Sequence, residues 1–119
     1  MRVSDKTKDD AGARRAKIRA LNDALRTTFR GGLVMMTAGV AALEKEEQQA
    51  VFRKIQAFTA FDDDNDPWGE HDFVSVQHEG QTFFAKIEYY DRHLKAHSED
   101  ATDANKTCRV MTIMLAEEH

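Results

Sequence analysis

The chain has 119 residues, of which 41% are hydrophobic and 32% are charged, and it contains one Pro, one Cys and a net charge of −4. These values are those of one small soluble domain, and they exclude a two-domain protein, an internal disulfide and a bilayer-spanning helix. Because the N-terminus is polar and charged, we expect no secretory segment. We therefore expect a single cytoplasmic domain over residues 1–119, with a mobile N-terminal segment at residues 1–10.

Charge is distributed unevenly along the chain. Residues 1–30 carry nine Lys and Arg against four Asp and Glu, whereas residues 31–119 carry eight against seventeen. A basic arm on an acidic body indicates either an interaction tail or a helix whose charges lie against the protein's own acidic surface. Because an acidic protein repels phosphate at long range, we favour the second interpretation.

The first predicted element is an amphipathic helix from Asp9 to Phe29. Its apolar residues recur at spacings of three and four, which places one buried stripe on the helix: Ile18, Leu21, Leu25 and Phe29. Four arginines project beside this stripe, and we call them the arginine ridge: Arg15, Arg19, Arg26 and Arg30. The ridge either binds phosphates or a partner's carboxylates, or its long side chains cover the protein's own surface.

Two elements follow before the middle of the chain. The apolar run Leu33–Met36 lies between glycines, and its pattern predicts a strand that is buried on both faces. Val40–Phe58 is predicted to be the second helix, with acidic residues near its positive end and Val51, Ile55 and Phe58 on one face.

The last third of the chain predicts three strands. Phe73–His78 and Gln81–Tyr90 are separated by a two-residue turn and predict a hairpin. After a polar loop at residues 91–107, Cys108–Leu115 has apolar residues on both faces, which is typical of a central strand. The order α-β-α-β-β-β predicts an α+β fold in which two helices pack on a mainly antiparallel four-stranded sheet.

Residues 62–72, which we call the connector, hold the only Pro and the only Trp together with five Asp, one Glu and one His. The alternating Asp residues have the spacing that begins a calcium loop. Pro67 stands where the sharp turn needs Gly and Phe73 where the closing Glu belongs, so an EF-hand is excluded. A different hard-cation site would use four carboxylates, those of Asp64, Asp66, Glu70 and Asp72. The alternative is that these side chains cap turns and are solvated.

The candidate catalytic residues are Glu70, His71 and Asp72. A carboxylate beside a histidine can fix the imidazole tautomer and prepare the ring as a general base. An extended chain would instead place His71 opposite both carboxylates, which favours a structural hydrogen-bonding role. A hydrolytic site requires Glu70, His71 and Asp91 to meet around a cleft. No nucleophile motif or phosphate-binding loop accompanies them, so we expect no cofactor and favour a protein that is not an enzyme.

Aromatic and charged side chains around the connector define a candidate binding surface. Trp68, Tyr89 and Tyr90 would supply its aromatic contacts, and the arginine ridge would supply its cations. The full set of candidate binding residues is Asp66, Trp68, Glu70, His71, Tyr89, Tyr90, Asp91, Arg15, Arg19 and Arg26. Aromatic residues in strands more often pack across the sheet, so a packing role for the two tyrosines stays open.

Three segments carry distinctive motifs, namely Asn65–Phe73 (NDPWGEHDF), Lys86–Asp91 (KIEYYD) and Thr112–Glu118 (TIMLAEE). In this order they resemble a small bacterial family that is catalogued only as a domain of unknown function, and the resemblance extends from about Ile18 to Glu118. The resemblance implies a small, stand-alone, cytoplasmic protein that is often carried by plasmids and other mobile elements. It carries over no activity and no cofactor.

Three hypotheses of function follow. The first is a non-catalytic accessory or counter-defence (antirestriction-like) factor of a mobile element that binds another protein. The second is a metal-assisted or acid–base hydrolase that uses the acidic and His residues of positions 64–72. The third is a nucleic-acid binder that uses the arginine ridge. No membrane partner is expected, and the sequence leaves the oligomeric state open.

Overall fold

In the part of the chain that the structure describes, the apolar runs form three α-helices and four β-strands. The computed structural model describes the backbone of residues 3–119 and the side chains of residues 10–119. In chain order the elements are α1 (Val3–Thr28), β1 (Leu33–Met36), α2 (Ala38–Ala41), α3 (Lys45–Ala57), β2 (Phe73–His78), β3 (Gln81–Tyr90), β4 (Cys108–Leu115) and a 3-10 turn (Ala116–Glu118). α1 begins at Val3, six residues before the predicted start at Asp9. Residues 1 and 2 lie outside the described backbone, and the expected mobility of residues 1–10 stays a prediction.

The four strands form one mixed sheet in the order β1-β4-β3-β2. β3 pairs antiparallel with both β2 and β4, and β1 pairs parallel with β4. The predicted α+β class and the central position of β4 are confirmed. The prediction of a mainly antiparallel sheet holds for two of the three strand pairs. It fails for the third pair, because β1 and β4 run in the same direction.

The prediction that β1 is buried on both faces is wrong. β1 lies at the edge of the sheet, and its Leu33, Met35 and Met36 are 43%, 51% and 44% exposed. Only Val34 of this strand packs against the core. A run of four apolar residues does not distinguish an edge strand from a central one, since strand order depends on pairing with distant segments.

The predicted second helix is divided into α2 and α3, so the sheet carries three helices rather than two. The break follows Ala41, and Glu44 adopts an extended conformation before α3 begins. The side-chain amide of Gln48 donates to the backbone oxygens of Val40 (3.0 Å) and Ala41 (3.2 Å), which replaces helical hydrogen bonds lost at the break. Val40 is fully buried, so the short α2 anchors this segment on the core.

The helices cover one face of the sheet, and the predicted helical stripes supply their side of the core. Leu25, Val51 and Ile55 are fully buried. They pack with alternate residues of the strands, among which Phe83, Met111 and Ile113 are also fully buried. Each such side chain contributes about 1.5–3 kcal/mol by leaving water.

The hairpin prediction is confirmed, because β2 and β3 pair antiparallel across a two-residue turn. The turn residues Glu79 and Gly80 both have positive φ angles (49° and 79°), as a tight hairpin turn requires.

Residues 10–17 of α1 are exposed, whereas Ile18, Asn22, Leu25 and Arg26 are buried against the rest of the protein. The C-terminal half of α1 is therefore the half that packs on the domain. Among the described residues, no helix has both the length and the apolar composition that crossing a bilayer needs.

Gly32 makes a close contact that no other residue can make, and its replacement should destabilise the fold. A Cβ atom at this position would collide with the backbone oxygen of Arg109 and lie 3.1 Å from Cδ2 of Leu25. We expect Gly32→Ala to lower the free energy of unfolding by about 1–3 kcal/mol, measured by urea denaturation.

The matched control is Gly12→Ala on the exposed part of α1, where a Cβ atom meets nothing within 4 Å. This change should raise the free energy of unfolding by roughly 0.5–1 kcal/mol, because Gly is the weaker helix former. Equal effects of the two substitutions would contradict the close packing at Gly32.

Candidate functional site

Four consecutive residues of the connector contact successive positions on one face of α1. We call these contacts the α1–connector ladder. In order they join Arg15 Cζ to the ring centroid of Trp68 (5.7 Å), Arg19 Nη1 to Gly69 O (3.0 Å), Asn22 Nδ2 to Glu70 O (2.9 Å) and Asp23 Oδ1 to His71 Nδ1 (2.8 Å). Positions that are three or four residues apart share a helix face, so one face of α1 binds the whole segment 68–71.

Asn22 lies at the centre of the contacts between α1, the connector and the sheet, and it is fully buried. Its amide nitrogen donates to the backbone oxygen of Glu70 (2.9 Å) and to the hydroxyl of Tyr89 (2.7 Å). Its amide oxygen accepts from Nε of Arg109 at 2.9 Å. Asn22 therefore makes three of the four hydrogen bonds that an amide side chain can make.

Tyr89 and Arg109 complete this buried polar centre. The Tyr89 hydroxyl donates to Oε1 of Glu70 at 2.8 Å, and the Arg109 guanidinium lies over the Tyr89 ring at 5.2 Å. Nη2 of Arg109 donates to the backbone oxygen of Ala101. Burial, assisted by the charge of Glu70, raises the pKa of Tyr89, so its hydroxyl stays protonated and continues to donate. Burial also lowers the pKa of Arg109, whereas electrostatic interactions with Tyr89 and Glu70 raise it.

His71 is held between two carboxylates. Its Nδ1 lies 2.8 Å from Asp23 Oδ1, its Nε2 lies 3.5 Å from Asp66 Oδ2, and its backbone N–H donates to Asp66 Oδ1 at 3.1 Å. The ring stacks on Phe61 with centroids 3.7 Å apart, and 22% of the side chain is exposed. Its backbone has a φ of +55°, a conformation that these contacts must stabilise. Nδ1 of His71 is therefore hydrogen-bonded to Asp23, and Nε2 faces the carboxylate of Asp66.

The metal candidates Asp64, Asp66, Glu70 and Asp72 are not brought together as a ligand set. Asp64 is exposed, Asp66 is buried against His71, and Glu70 binds Tyr89. Across the described residues, a single group of three His, Cys, Asp or Glu ligand atoms lies within 4.8 Å, and it consists of Glu47, His78 and Glu79 at the hairpin end. There the Lys54 ammonium lies 3.1 Å from Nδ1 of His78, which disfavours a cation at this group.

Asp72 continues the connector into the sheet, since its backbone oxygen accepts from the N–H of Ile87 at 2.8 Å. Burial raises the pKa of its carboxyl group, and the negative charges of Glu70 and Asp66 raise it further. Asp72 is thus a carboxylate that the fold accommodates at a cost in stability.

The arginine ridge is divided by the structure. Arg15 and Arg19 bind the connector, and Arg30 is exposed. Arg26 is only 4% exposed, and its Nη1 donates to three backbone oxygens at the end of α3, those of Ile55, Gln56 and Phe58. A cation at a helix C-terminus is favoured by the helix dipole, so Arg26 caps α3 instead of facing a ligand.

Asp91 and Tyr90 interact with residues other than His71 and Glu70. Asp91 Oδ1 accepts from the backbone N–H groups of His93 (2.9 Å) and Lys95 (3.1 Å), and these hydrogen bonds lower the pKa of Asp91. The Tyr90 ring stacks on the ring of His97, on the face of the sheet opposite the helices.

A surface cavity of about 380 Å³ beside the connector is lined by Phe58, Ala60, Asp64, Asn65, Phe73 and Ser75. The candidate base His71 is not among these residues.

Two residues of the polar centre, Asn22 and Arg109, and Asp23 of the α1–connector ladder were not predicted as site residues. Asn22 follows Ile18 by four positions and precedes Leu25 by three, so its spacing places it on the buried stripe. Arg109 alternates with Met111 in β4, which places it on the helix-covered face. Both signals were present in the periodicity of the sequence.

One family model, described as "Protein of unknown function (DUF3768)", matches residues 36–118. The match includes the whole connector and the three predicted strands after it, whereas α1 lies outside it. Comparison with curated proteins and with solved structures gives no match. The mobile-element context that the resemblance implied stays a prediction.

Asn22→Ala should be strongly destabilising, because it removes the acceptor of the buried Nε of Arg109 and one of the two hydrogen-bond partners of the Tyr89 hydroxyl. We expect the free energy of unfolding to fall by roughly 2–4 kcal/mol in urea denaturation. Thr27→Ala, on the exposed side of the same helix, should change it by less than about 0.5 kcal/mol. A loss for Asn22→Ala no larger than that of the control would contradict the structural role of the polar centre.

Asp72→Asn should stabilise the protein at neutral pH. The folded pKa of Asp72 lies above the unfolded value of 3.8, so folding favours the protonated form and stability falls as pH rises through the folded pKa. Asn cannot ionise, and the gain should therefore be present at pH 7 and disappear below about pH 4. Thermal unfolding from pH 3 to 8 measures it, with the exposed Thr27→Ala, which removes no ionisable group, as the control whose effect should not change with pH. A constant difference across this range would contradict the assignment.

Proposed function

The chain belongs to the family DUF3768, whose description assigns no activity, and we propose that it is a non-catalytic protein-binding protein whose contact surface is centred on Trp68. The observation that carries this proposal is the exposure of Trp68. It is 66% exposed, the highest value among the exposed large apolar side chains that the structure describes. Its ring nevertheless has a fixed neighbour, because the Arg15 guanidinium lies 5.7 Å from its centroid.

The backbone presents Trp68 at the tip of a tight turn. The N–H of Gly69 donates to the oxygen of Asp66 at 3.1 Å, which closes a four-residue turn with Pro67 in its second position. Pro fixes its own φ angle and favours this position, and Gly69 has the positive φ (69°) that follows the turn. The ladder then fastens the turn to α1. The backbone that carries the indole is therefore held in place before any partner binds, which reduces the entropy that binding would cost.

Trp and Arg side chains are the most frequent energetic centres of protein interfaces. Trp68 and Arg15 provide both on one surface. The exposed Asp62, Asp63 and Asp64 lie four to six residues before Trp68 in the same connector, so the segment that carries Trp68 is acidic. Acidic side chains steer association with a basic partner and discriminate against an acidic one.

The proposed partner is accordingly a protein with a basic surface. A nucleic-acid-binding protein has such a surface, and an acidic protein that occupies it would block access of the nucleic acid. This chemistry is compatible with an accessory or counter-defence (antirestriction-like) role in a mobile element. The charge distribution supports it, since residues 31–119 carry eight Lys and Arg against seventeen Asp and Glu.

Binding is favoured over hydrolysis because the candidate catalytic groups already have intramolecular partners. Glu70 accepts from Tyr89, and His71 lies between Asp23 and Asp66. A general base must instead reach a substrate proton from the wall of a cleft. Direct binding of nucleic acid is disfavoured for a similar reason, since Arg26 is buried at the end of α3.

The test is recovery of a partner from bacterial lysate, followed by titration calorimetry with the purified partner. Trp68→Ala should weaken binding by about 30-fold or more, the loss typical of a central interface residue. Leu94→Ala removes another exposed apolar side chain, 48% exposed and outside the connector, and should leave the affinity unchanged.

Two results would overturn the proposal. One is a partner that binds the wild type and Trp68→Ala equally well. The other is turnover of a substrate by the purified protein that His71→Gln abolishes, because that outcome assigns a catalytic role to the connector.

A further inference from the structure

β1 forms one edge of the sheet, where it pairs with β4 alone in the described part of the chain. Edge strands are usually protected against pairing with another chain by charged residues, Pro, a bulge or a covering element. β1 has the sequence LVMM and a continuous register with β4, so it contains no charge, no Pro and no bulge. Three of its four side chains, Leu33, Met35 and Met36, are exposed. β1 is therefore an edge that a further strand can extend.

The backbone of β1 leaves four hydrogen-bonding groups that point away from the sheet. The N–H and C=O groups of successive strand residues point in alternate directions, and the N–H of Thr37, the residue after β1, donates to the backbone oxygen of Ile113 in β4 at 3.1 Å. Alternate residues of β1 share the direction of Thr37, so the N–H and C=O groups of Val34 and Met36 point outward. These four groups have no hydrogen-bond partner among the described residues.

A second copy of β1 satisfies all four groups at once. In an antiparallel pair of two β1 strands, Val34 of each copy lies opposite Met36 of the other, and each of these two pairs exchanges two hydrogen bonds. Met35 then lies at the two-fold axis, where it faces Met35 of the other copy at the closer, non-hydrogen-bonded spacing. The strand is therefore complementary to itself, as a two-fold interface requires.

The charges at the two ends of β1 match in this antiparallel arrangement. Arg30 is exposed just before the strand. At the other end, Oε1 of Glu118 accepts from the Thr37 hydroxyl at 2.6 Å and Oε2 accepts from the N–H of Gly39 at 2.9 Å. These hydrogen bonds lower the pKa of Glu118, so it stays negatively charged. Antiparallel pairing brings the basic end of each strand to the acidic end of the other, whereas parallel pairing would bring like charges together.

We propose that this protein forms a homodimer in which the β1 strands of two copies pair antiparallel about a two-fold axis at Met35. The two four-stranded sheets then join into one continuous sheet. The pairing also covers part of the apolar surface that β1 leaves exposed in the single chain. Trp68 lies in the connector, outside β1, so the dimer does not rest on the proposed function.

Sedimentation equilibrium of the full chain tests the dimer. The wild type should have twice the mass of one 13.5-kDa chain at about 100 μM. Met36→Pro removes one outward N–H donor from each copy and keeps the hydrogen bonds to β4, since Pro is tolerated on an edge strand where its nitrogen faces solvent. It should raise the dimer Kd at least about tenfold, because two symmetric hydrogen bonds are lost.

Met35→Lys tests the position of the axis. The Met35 side chain is 51% exposed in the single chain, whereas in the dimer the substitution places two ammonium groups opposite one another. It should also raise the Kd at least about tenfold. Ser75→Lys is the matched control, because it adds the same charge at an exposed position of β2, the strand at the opposite edge of the sheet. Ser75→Lys and Trp68→Ala should leave the Kd unchanged.

Circular dichroism verifies that each variant is folded, and urea denaturation below the dimer Kd measures the stability of the single chain. If Met36→Pro fails to fold, Met35→Lys still tests the pairing. Either of two results would contradict the pairing. The first is a wild-type protein that remains monomeric at about 100 μM. The second is a dimer that a folded Met36→Pro or Met35→Lys weakens no more than Ser75→Lys does, because such a dimer would use another surface.

Discussion

The side-chain amide of Asn22 joins four parts of the molecule that are far apart in the sequence. It binds the connector through Glu70, β3 through Tyr89 and β4 through Arg109, all from its position on α1. Each of these groups is buried or half-buried, so each loses more by being unpaired than it gains from any one hydrogen bond. The polar centre is therefore stable only when helix, connector and sheet are all in place. This makes the position of the connector a property of the whole fold, not of its own sequence.

The helical stripes, the hairpin and the central strand β4 were predictable because each depends on local periodicity. The edge position of β1 was not, because it depends on pairing with β4, some 75 residues later in the chain. The connector shows the same limit. Its composition identified it as unusual, but His71 contacts Asp23 across a separation of 48 residues, which no local pattern reports. The spacing of Asn22 and Arg109 placed both residues on predicted core faces. They were not predicted to be buried there because polar residues are not expected in a core.

The fastening of the connector bears on the proposed binding surface. Hydrogen bonds hold Glu70 against Tyr89 and His71 against Asp23, and a separate bond from the N–H of Gly69 to the oxygen of Asp66 closes the turn that exposes Trp68. The contacts that position the connector on α1 and β3 therefore also position the backbone of the Trp68 turn.

If α1 and the connector form one cooperative unit, their amides exchange through the same opening reaction, and native-state amide hydrogen exchange measures this. The amides to compare are those of Asp66, Gly69 and His71, which are hydrogen-bonded within the connector, and those of residues 22–26 in α1. Both sets should open with the same free energy, and Asp23→Ala should lower both together. Connector amides that exchange with almost no protection while α1 remains protected would contradict it.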